Sequence, residues 1–491
     1  MADPIATPNA INPQEDSFLA CVPVEVLLRI TRWIPTVDLA NVRLTCKILE
    51  RNLFNSFAHE FFRKKQFMVS TPSLQALIDI SKHSTLSPFL KHVIICTDRP
   101  NDLFMYNPPN VDQKMVHNLR RAQADQANLI SMGLLPAMLA EAFSALPSLE
   151  VIDLRDFNSR SRNRDGINAE WRSYGSVSLR EATGVGLSAP GGLQDVFPTQ
   201  IFTAIIAALA ASGSQPDNIE VLLRHRSWGL LDSAFAIPAQ LEPKLAPILG
   251  NLKTLHLSFC IQMESFMIQD FLTMARNVSW LRLNFNSVPR ISMEEPGPAM
   301  FKWLEHPETD TPISNHDRRS VSFPNLKRFD IGHVDLAAKT ILKLVAKFSP
   351  TLKHLSLRRV FLIDTPRDLE EKLNPWAGLF KLVTKIRGIQ LSVLELSDLQ
   401  HGRLDHRPFR GPITFKTGTP TSPYHLHVNN YFKGTTDRMS LEALVENLAE
   451  EMICPWPPRS HVAISDSEMD VDSDEDEDAD EDDGEELDDD E

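Results

Sequence analysis

Through most of the chain, apolar residues return in one arrangement, L-x-x-L-x-L, with polar or mixed residues between them. Copies fall at Leu90-Val93-Ile95, Leu149-Ile152-Leu154, Leu252-Leu255-Leu257, Val278-Leu281-Leu283, Leu326-Phe329-Ile331, Leu352-Leu355-Leu357 and Leu391-Leu394-Leu396. Ile219-Leu222 reads as a damaged copy with Arg224 at its third position. Alternation at the end of each copy predicts a strand with one buried face. Copies beginning at 252 and 278 are 26 residues apart, as are those at 326 and 352; longer gaps elsewhere require inserted loops. Helical periods lie between several copies, at 198–212 before Gly213, at 262–276, and at 336–348 before Pro350. One strand–helix unit cannot bury its own leucines, whereas stacked units share a continuous core.

The first hundred residues follow a different rhythm. Val22-Pro23 opens a helix on which Leu27, Leu28, Ile30, Trp33 and Ile34 recur at spacings of three and four. Pro35-Thr36-Val37-Asp38 interrupts it, and Asp38 is positioned to cap a second helix carrying Leu39, Val42, Leu44, Cys46 and Leu49. Two or three such helices bury little by themselves and call for a partner surface. Ser70-Thr71-Pro72 starts a further helix with Leu74, Leu77, Ile78 and Ile80, and Leu86–Thr97 ends in a β-branched strand. A last amphipathic helix, 440–453, precedes Pro455 and is expected to cover the final row of leucines.

The helical segment resembles an F-box. The family pattern of Leu-Pro, Glu-Ile/Val-Leu, Ile, Asp-Leu and Val/Leu-Cys-Lys reads here as Val22-Pro23, Glu25-Val26-Leu27, Ile30, Asp38-Leu39 and Leu44-Thr45-Cys46-Lys47. Val22, and Leu49 in place of the usual Trp, are the departures, and both stay apolar. With the segment that follows it, which is similar to that of a large group of fungal F-box proteins, the resemblance covers residues 17–100. The strand–helix units resemble degenerate leucine-rich repeats. Cys260 and Asn286 stand eight positions after the first apolar residue, where that family holds Cys or Asn. The F-box resemblance implies an adaptor that joins a Skp-family subunit, and through it a cullin–RING ubiquitin ligase, to a protein substrate for ubiquitin-dependent degradation. It further implies an adaptor-facing surface drawn from Val22, Pro23, Leu27, Leu28, Ile30, Leu39, Leu44 and Cys46, some of which also close the helices on themselves.

Charge adds one feature. The formal net charge is −15, but residues 466–491 hold 19 acidic side chains and no Lys or Arg. The other 465 residues carry 46 acidic against 50 basic side chains, a net of +4. An acidic tail therefore follows a nearly neutral body, and neither a nucleic-acid surface nor an acidic globule is implied. Five cysteines, odd in number and never in a C-x-x-C pair, predict reduced thiols in cytoplasm or nucleus. No signal-peptide pattern opens the sequence, and the longest nearly apolar run, 201–211, is too short to span a bilayer.

Candidate chemistry is sparse. His59-Glu60 lacks a second His at zincin spacing, and Gly184, Gly186, Gly191 and Gly192 lack the Lys-Ser/Thr of a phosphate loop. His401, Asp405 and His406 read as solvated loop residues, and His425 with His427 offers two ligands without a third. Arg155, Arg160, Arg162 and Arg164 either receive a phosphorylated ligand or lie in a solvated loop. No catalytic residue, metal site or cofactor is assigned.

The expected architecture is α/β. A disordered start (1–16), an F-box (17–70), a linker helix with the first strand (71–100), an irregular repeat solenoid with insertions (101–455) and a disordered acidic tail (456–491) follow in order. Residues between the strand leucines face away from the core, so stacking aligns Val151, Thr254, Trp280, Arg328, His354 and Val393 in one row. Asp153, His256, Arg282, Asp330, Ser356 and Glu395 form the next, and Arg155, Ser258, Asn284 and Arg358 a third. Substrate contact is expected at His256, Trp280, Arg282, Arg328, His354 and Arg358. Trp280 is read as an exposed indole, either an interface hot spot or packed beneath an inserted loop. The alternative function is a protein-interaction scaffold acting without ubiquitylation.

Overall fold

The computed structural model describes residues 18–100, 112–158, 163–166, 172–184, 187–188, 196–224, 229–260, 266–285, 299–306, 320–363, 374–403, 409–417 and 429–455. The expected disordered ends and much of the insertions lie outside these residues. The fold is mixed α/β, in two compact units divided in the chain between Leu252 and Lys253.

The first unit begins with four helices, α1 (Phe18–Cys21), α2 (Val24–Thr31), α3 (Thr36–Thr45) and α4 (Lys47–Phe62). Pro23 is the N-cap of α2 rather than its first helical residue, and Pro35, within the expected break, is the N-cap of α3. Asp38 does not cap α3 but lies in its first turn. Cys46, extended at φ −156°, ends α3 and starts α4, so the expected second helix is two. Leu27, Leu39, Leu49, Leu53 and Phe61 form a buried cluster among these helices.

After them come β1 (Lys64–Met68), α5 (Thr71–Lys82), β2 (His92–Cys96), β3 (Arg99–Pro100), α6 (Gln113–Ser131), α7 (Leu134–Ser144) and β4 (Val151–Arg155). The unit continues through α8 (Ser176–Thr183), β5 (Leu187–Ser188), α9 (Phe197–Ser212), β6 (Asn218–Leu222) and α10 (Glu242–Gly250). β1, β2, β4 and β6 run parallel in that order. Parallel neighbours need long crossovers, which here carry the helices; α7 packs between α5 and α9, and α10 against α9. Val93 aligns with Ile152 and Ile219, and Ile95 with Leu154 and Val221. The damaged copy is therefore Pro216-Ile219-Val221, not the Ile219-Leu222-Arg224 of the sequence reading. A buried proline at its first position hid the register.

The second unit contains β7 (Thr254–Phe259), α11 (Phe266–Met274), β8 (Trp280–Phe285), α12 (Ala299–Glu305), β9 (Arg328–Ala337), α13 (Ala338–Phe348) and β10 (His354–Ile363). It ends with α14 (Pro375–Val383), β11 (Val393–Ser397), β12 (Gln400–Arg403), β13 (Phe409–Pro412), β14 (Thr414–Phe415), β15 (Tyr431–Thr435), α15 (Leu441–Glu451) and β16 (Met452–Ile453). β7 to β11 are parallel in the expected register: Leu255, Leu281, Phe329, Leu355 and Leu394 align, as do Leu257, Leu283, Ile331, Leu357 and Leu396. All ten are buried. α12, α13, α14 and α15 pack in sequence beside this layer. The sheet edge is taken by β15, which joins β11 antiparallel and was not expected from the sequence. No single helix among the described residues is long and apolar enough to cross a membrane.

Candidate functional site

Two surfaces of the first unit and one of the second carry the residues singled out by the sequence. On the helices, the eight expected adaptor residues divide by burial. Leu27 is fully buried and Leu39 is 4% exposed; both belong to the internal cluster, which removes them from any docking surface. Val22, Leu28 and Cys46 pack partly against that cluster, while Pro23, Ile30 and Leu44 are exposed. The exposed set is larger than the sequence reading held. Phe18 (87%), Trp33 (84%) and Leu44 (83%) stand almost free of the protein, and Val24, Val26, Val37 and Ile48 are exposed as well. These short helices thus leave an unusual amount of apolar surface uncovered.

These helices are held by an insertion. Arg164, from the described piece 163–166, pairs with Glu60 through Nε and Nη2, both at 2.6 Å. Its Nη1 donates to the carbonyls of Thr31 (2.8 Å) and Ile34 (3.0 Å) at the end of α2. Asp165 accepts from the Thr36 N–H (2.7 Å) and the Thr36 hydroxyl (2.6 Å), supplying from 129 residues away the cap that Asp38 was expected to give α3. Arg155 is equally engaged, donating from Nε to Asp153 Oδ2 at 2.5 Å. The phosphate-binding reading of this arginine cluster therefore fails for Arg155 and Arg164, and neither lies in a solvated loop. Arg160 and Arg162 lie outside the described residues.

In the second unit the expected rows form as drawn. Thr254, Trp280, Arg328, His354 and Val393 are register neighbours, as are His256, Arg282, Asp330, Ser356 and Glu395. Ser258, Asn284, Gly332 and Arg358 follow; Gly332 lies close against Asn284, where a Cβ would come within 2.3 Å of the amide oxygen. The face is a network built on two carboxylates. Asp330 accepts from Trp280 Nε1 (2.9 Å), from Arg282 Nε and Nη2 (3.1 and 3.0 Å) and from Arg328 Nε (2.8 Å). Glu395 meets His354 Nε2 (3.0 Å), Arg328 (3.5 Å) and the Tyr431 hydroxyl (3.3 Å). The His354 hydrogen bond and the nearby Arg328 charge hold the Glu395 carboxyl down at about 2. Trp280 is half-buried, not exposed as expected. Its ring is wedged between the edge-on His256 ring at 4.5 Å and the Arg328 guanidinium at 4.2 Å, and its N–H is committed to Asp330. His256 is buried as well.

In the first unit His92 and Glu220, neither singled out by the sequence, gather with Asp153 of the expected second row, although 61 residues separate His92 from Asp153. His92 Nε2 lies 3.1 Å from Asp153 Oδ2, and burial pushes its imidazole below the usual range. Elsewhere, His401 is fully buried on β12, its Nε2 facing the Pro455 carbonyl (3.0 Å) and Cys454 Sγ (3.2 Å), rather than a solvated loop residue. Burial pushes the Cys454 thiol up to about 12, so that pair offers no thiolate nucleophile. Gly184, one of the four glycines that lack a phosphate-loop pattern, is the left-handed C-cap of α8 at φ 67°. Asp405, His406, His425 and His427 lie outside the described residues. Neither the scan against protein-family models nor the search of curated proteins finds a match for this chain.

Proposed function

We propose that the chain is a non-catalytic F-box adaptor. Its first helices bind a Skp-family subunit and through it a cullin–RING ligase, and a leucine-rich-repeat solenoid presents a protein substrate for ubiquitylation. The observation that carries the reading is the apolar surface of α1–α4. Phe18, Ile30, Trp33 and Leu44 are exposed on the segment that resembles the adaptor-binding helices of the F-box family, while Leu27 and Leu39 close the small core beneath. Strand registers and packed helices agree with stacked repeats, and the open face of β7–β11 is rich in Arg, His and Trp, residue types suited to protein recognition. Holding substrate and ubiquitin-charged enzyme in one assembly raises their effective concentration without chemistry from this chain.

The test is to charge residues that the fold does not need. Ile30→Asp with Leu44→Asp places carboxylates in the interface alone, and is expected to abolish capture of the Skp-family subunit with the melting temperature retained. Leu27→Asp would unfold the helical cluster and test nothing about docking. Failure of the wild-type chain to capture the subunit and a cullin ends the adaptor reading, and undiminished capture by a folded double variant ends the assignment of this surface.

A further inference from the structure

We propose that His92, Asp153 and Glu220 form a binding site for a divalent transition-metal ion of the zinc, manganese or cobalt class. This inference stands apart from the adaptor reading. The three side chains come from β2, β4 and β6, consecutive parallel strands of the first unit. Asp153 is level with Glu220, while His92 sits two residues earlier in register, level with Val151. One ligand atom from each lies within 4.8 Å of the other two. Metal–ligand bonds of about 2.0–2.2 Å close such a triangle after small side-chain rotations. His92 Nε2 and Asp153 Oδ2, already 3.1 Å apart, span one edge of a coordination shell.

A second observation points to a missing partner. Asp153 is wholly buried, and its two oxygens are used unequally. Oδ2 meets both His92 and Arg155, whereas Oδ1 has no hydrogen-bond donor among the described residues. A buried carboxylate oxygen left in that state is costly, and in native proteins a water or an ion commonly serves it.

One imidazole and two carboxylates make a mixed donor set. It suits first-row transition ions better than magnesium or calcium, which prefer oxygen alone. Three protein ligands also leave coordination positions open for water or an exogenous ligand. Two cations oppose the ion. Arg155 holds Asp153 Oδ2 at 2.5 Å with its Nη2 4.0 Å from Glu220, and Lys64 is the register neighbour of His92. Arg155 thus competes directly with the metal for Asp153, and its removal should strengthen binding.

The experiment uses the full-length, tag-free chain stripped with a chelator. It is titrated with Co(II) under visible absorption and with Zn(II) in a calorimeter. Wild type is expected to take up one equivalent with a ligand-field spectrum. His92→Gln and Glu220→Gln, at side chains 16% and 18% exposed, should each weaken binding about tenfold or more, with circular dichroism unchanged. Arg155→Gln should tighten it by a similar factor, since one positive charge leaves the site. Absence of stoichiometric uptake by wild type overturns the proposal. So does undiminished affinity in both ligand variants, or an affinity that Arg155→Gln leaves unmoved; Oδ1 would then be served by water inside an ion-pair network.

Discussion

His333, Arg359 and Asp398 all adopt left-handed backbone, at φ 56°, 51° and 51°. Each stands seven positions after the first apolar residue of its copy. Neighbouring register pairs, Gly332 with Arg358 and Val334 with Val360, bring the first two alongside each other. The bend they make lets β9 and β10 continue past the buried leucines into a second run that includes Val334 and Val360. Non-glycine residues in this region cost on the order of 1 kcal/mol each, which the buried second run offsets. Burial and the charges of Arg359 and Arg358 lower the His333 imidazole to about 4 from 6.5. Between those values the unfolded chain binds a proton that the folded chain refuses, so stability falls as pH drops from 6.5 to 4, by on the order of 3 kcal/mol. His333→Asn keeps a residue that tolerates the left-handed bend and should flatten that slope in urea denaturation series. Glu395 acts in a lower window: its carboxyl is depressed from 4.5 to about 2, so its contribution is complete above 4.5 and lost as pH falls towards 2. Glu395→Gln should therefore reduce stability at pH 6 and make the acid-unfolding limb shallower. Single residues were legible where alternation was clean, as at Leu255 and Leu257. They were not where contacts decide, as at Leu27, whose place on the inside of a helix pair no spacing distinguishes from Ile30 on the outside.

Among elements, the strands were the readable part, because each L-x-x-L-x-L copy has its own two-residue alternation. Helix α9 was equally plain, ending as expected where Gly213 turns left-handed at φ 68°. Strand β1 was missed because Lys64, Lys65 and Gln66 carry no apolar alternation; it is a strand through its pairing with β2. β15 was missed for the same reason, its residues being mostly half-exposed at the edge of the sheet. The clasp formed by Arg164 and Asp165 could not be read at all, since its partners lie more than a hundred residues earlier. Its weight is testable. The Arg164 side chain is 9% exposed and bonded to a carboxylate and two carbonyls, so Arg164→Ala leaves Glu60 short of its counter-ion and should cost about 3 kcal/mol in chemical denaturation. Arg164→Lys should recover little of it, because an ammonium cannot reproduce the forked geometry. Asp165→Ala removes one cap, for about 1 kcal/mol.

For the molecule as a whole, the sequence made a mixed α/β chain with parallel strands legible, and the rows on one face of the second unit's strands emerge in the order drawn. The chemistry of that face was not legible. Trp280, Arg282 and Arg328 converge on one buried carboxylate, so a triple alanine replacement strands Asp330 and tests stability before recognition. Charge is separable from the fold in a simpler way. Deleting residues 466–491 moves the formal net charge from −15 to +4 while removing only Met469, Val471, Ala479 and Leu487 among apolar side chains. The melting temperature is expected to stay within about 1 °C, a shift of about 1 kcal/mol for a chain of this size, with Skp-family capture retained. The cap on α3 bears on how the chain is made. Thr36 leaves the ribosome 129 residues before the aspartate that completes its helix. At about 5–20 residues per second, that first turn waits on the order of ten seconds for Asp165 to be synthesised. Over that interval the nascent α1–α4 segment presents its apolar side chains without its clasp, which makes it a natural client for chaperones on the ribosome.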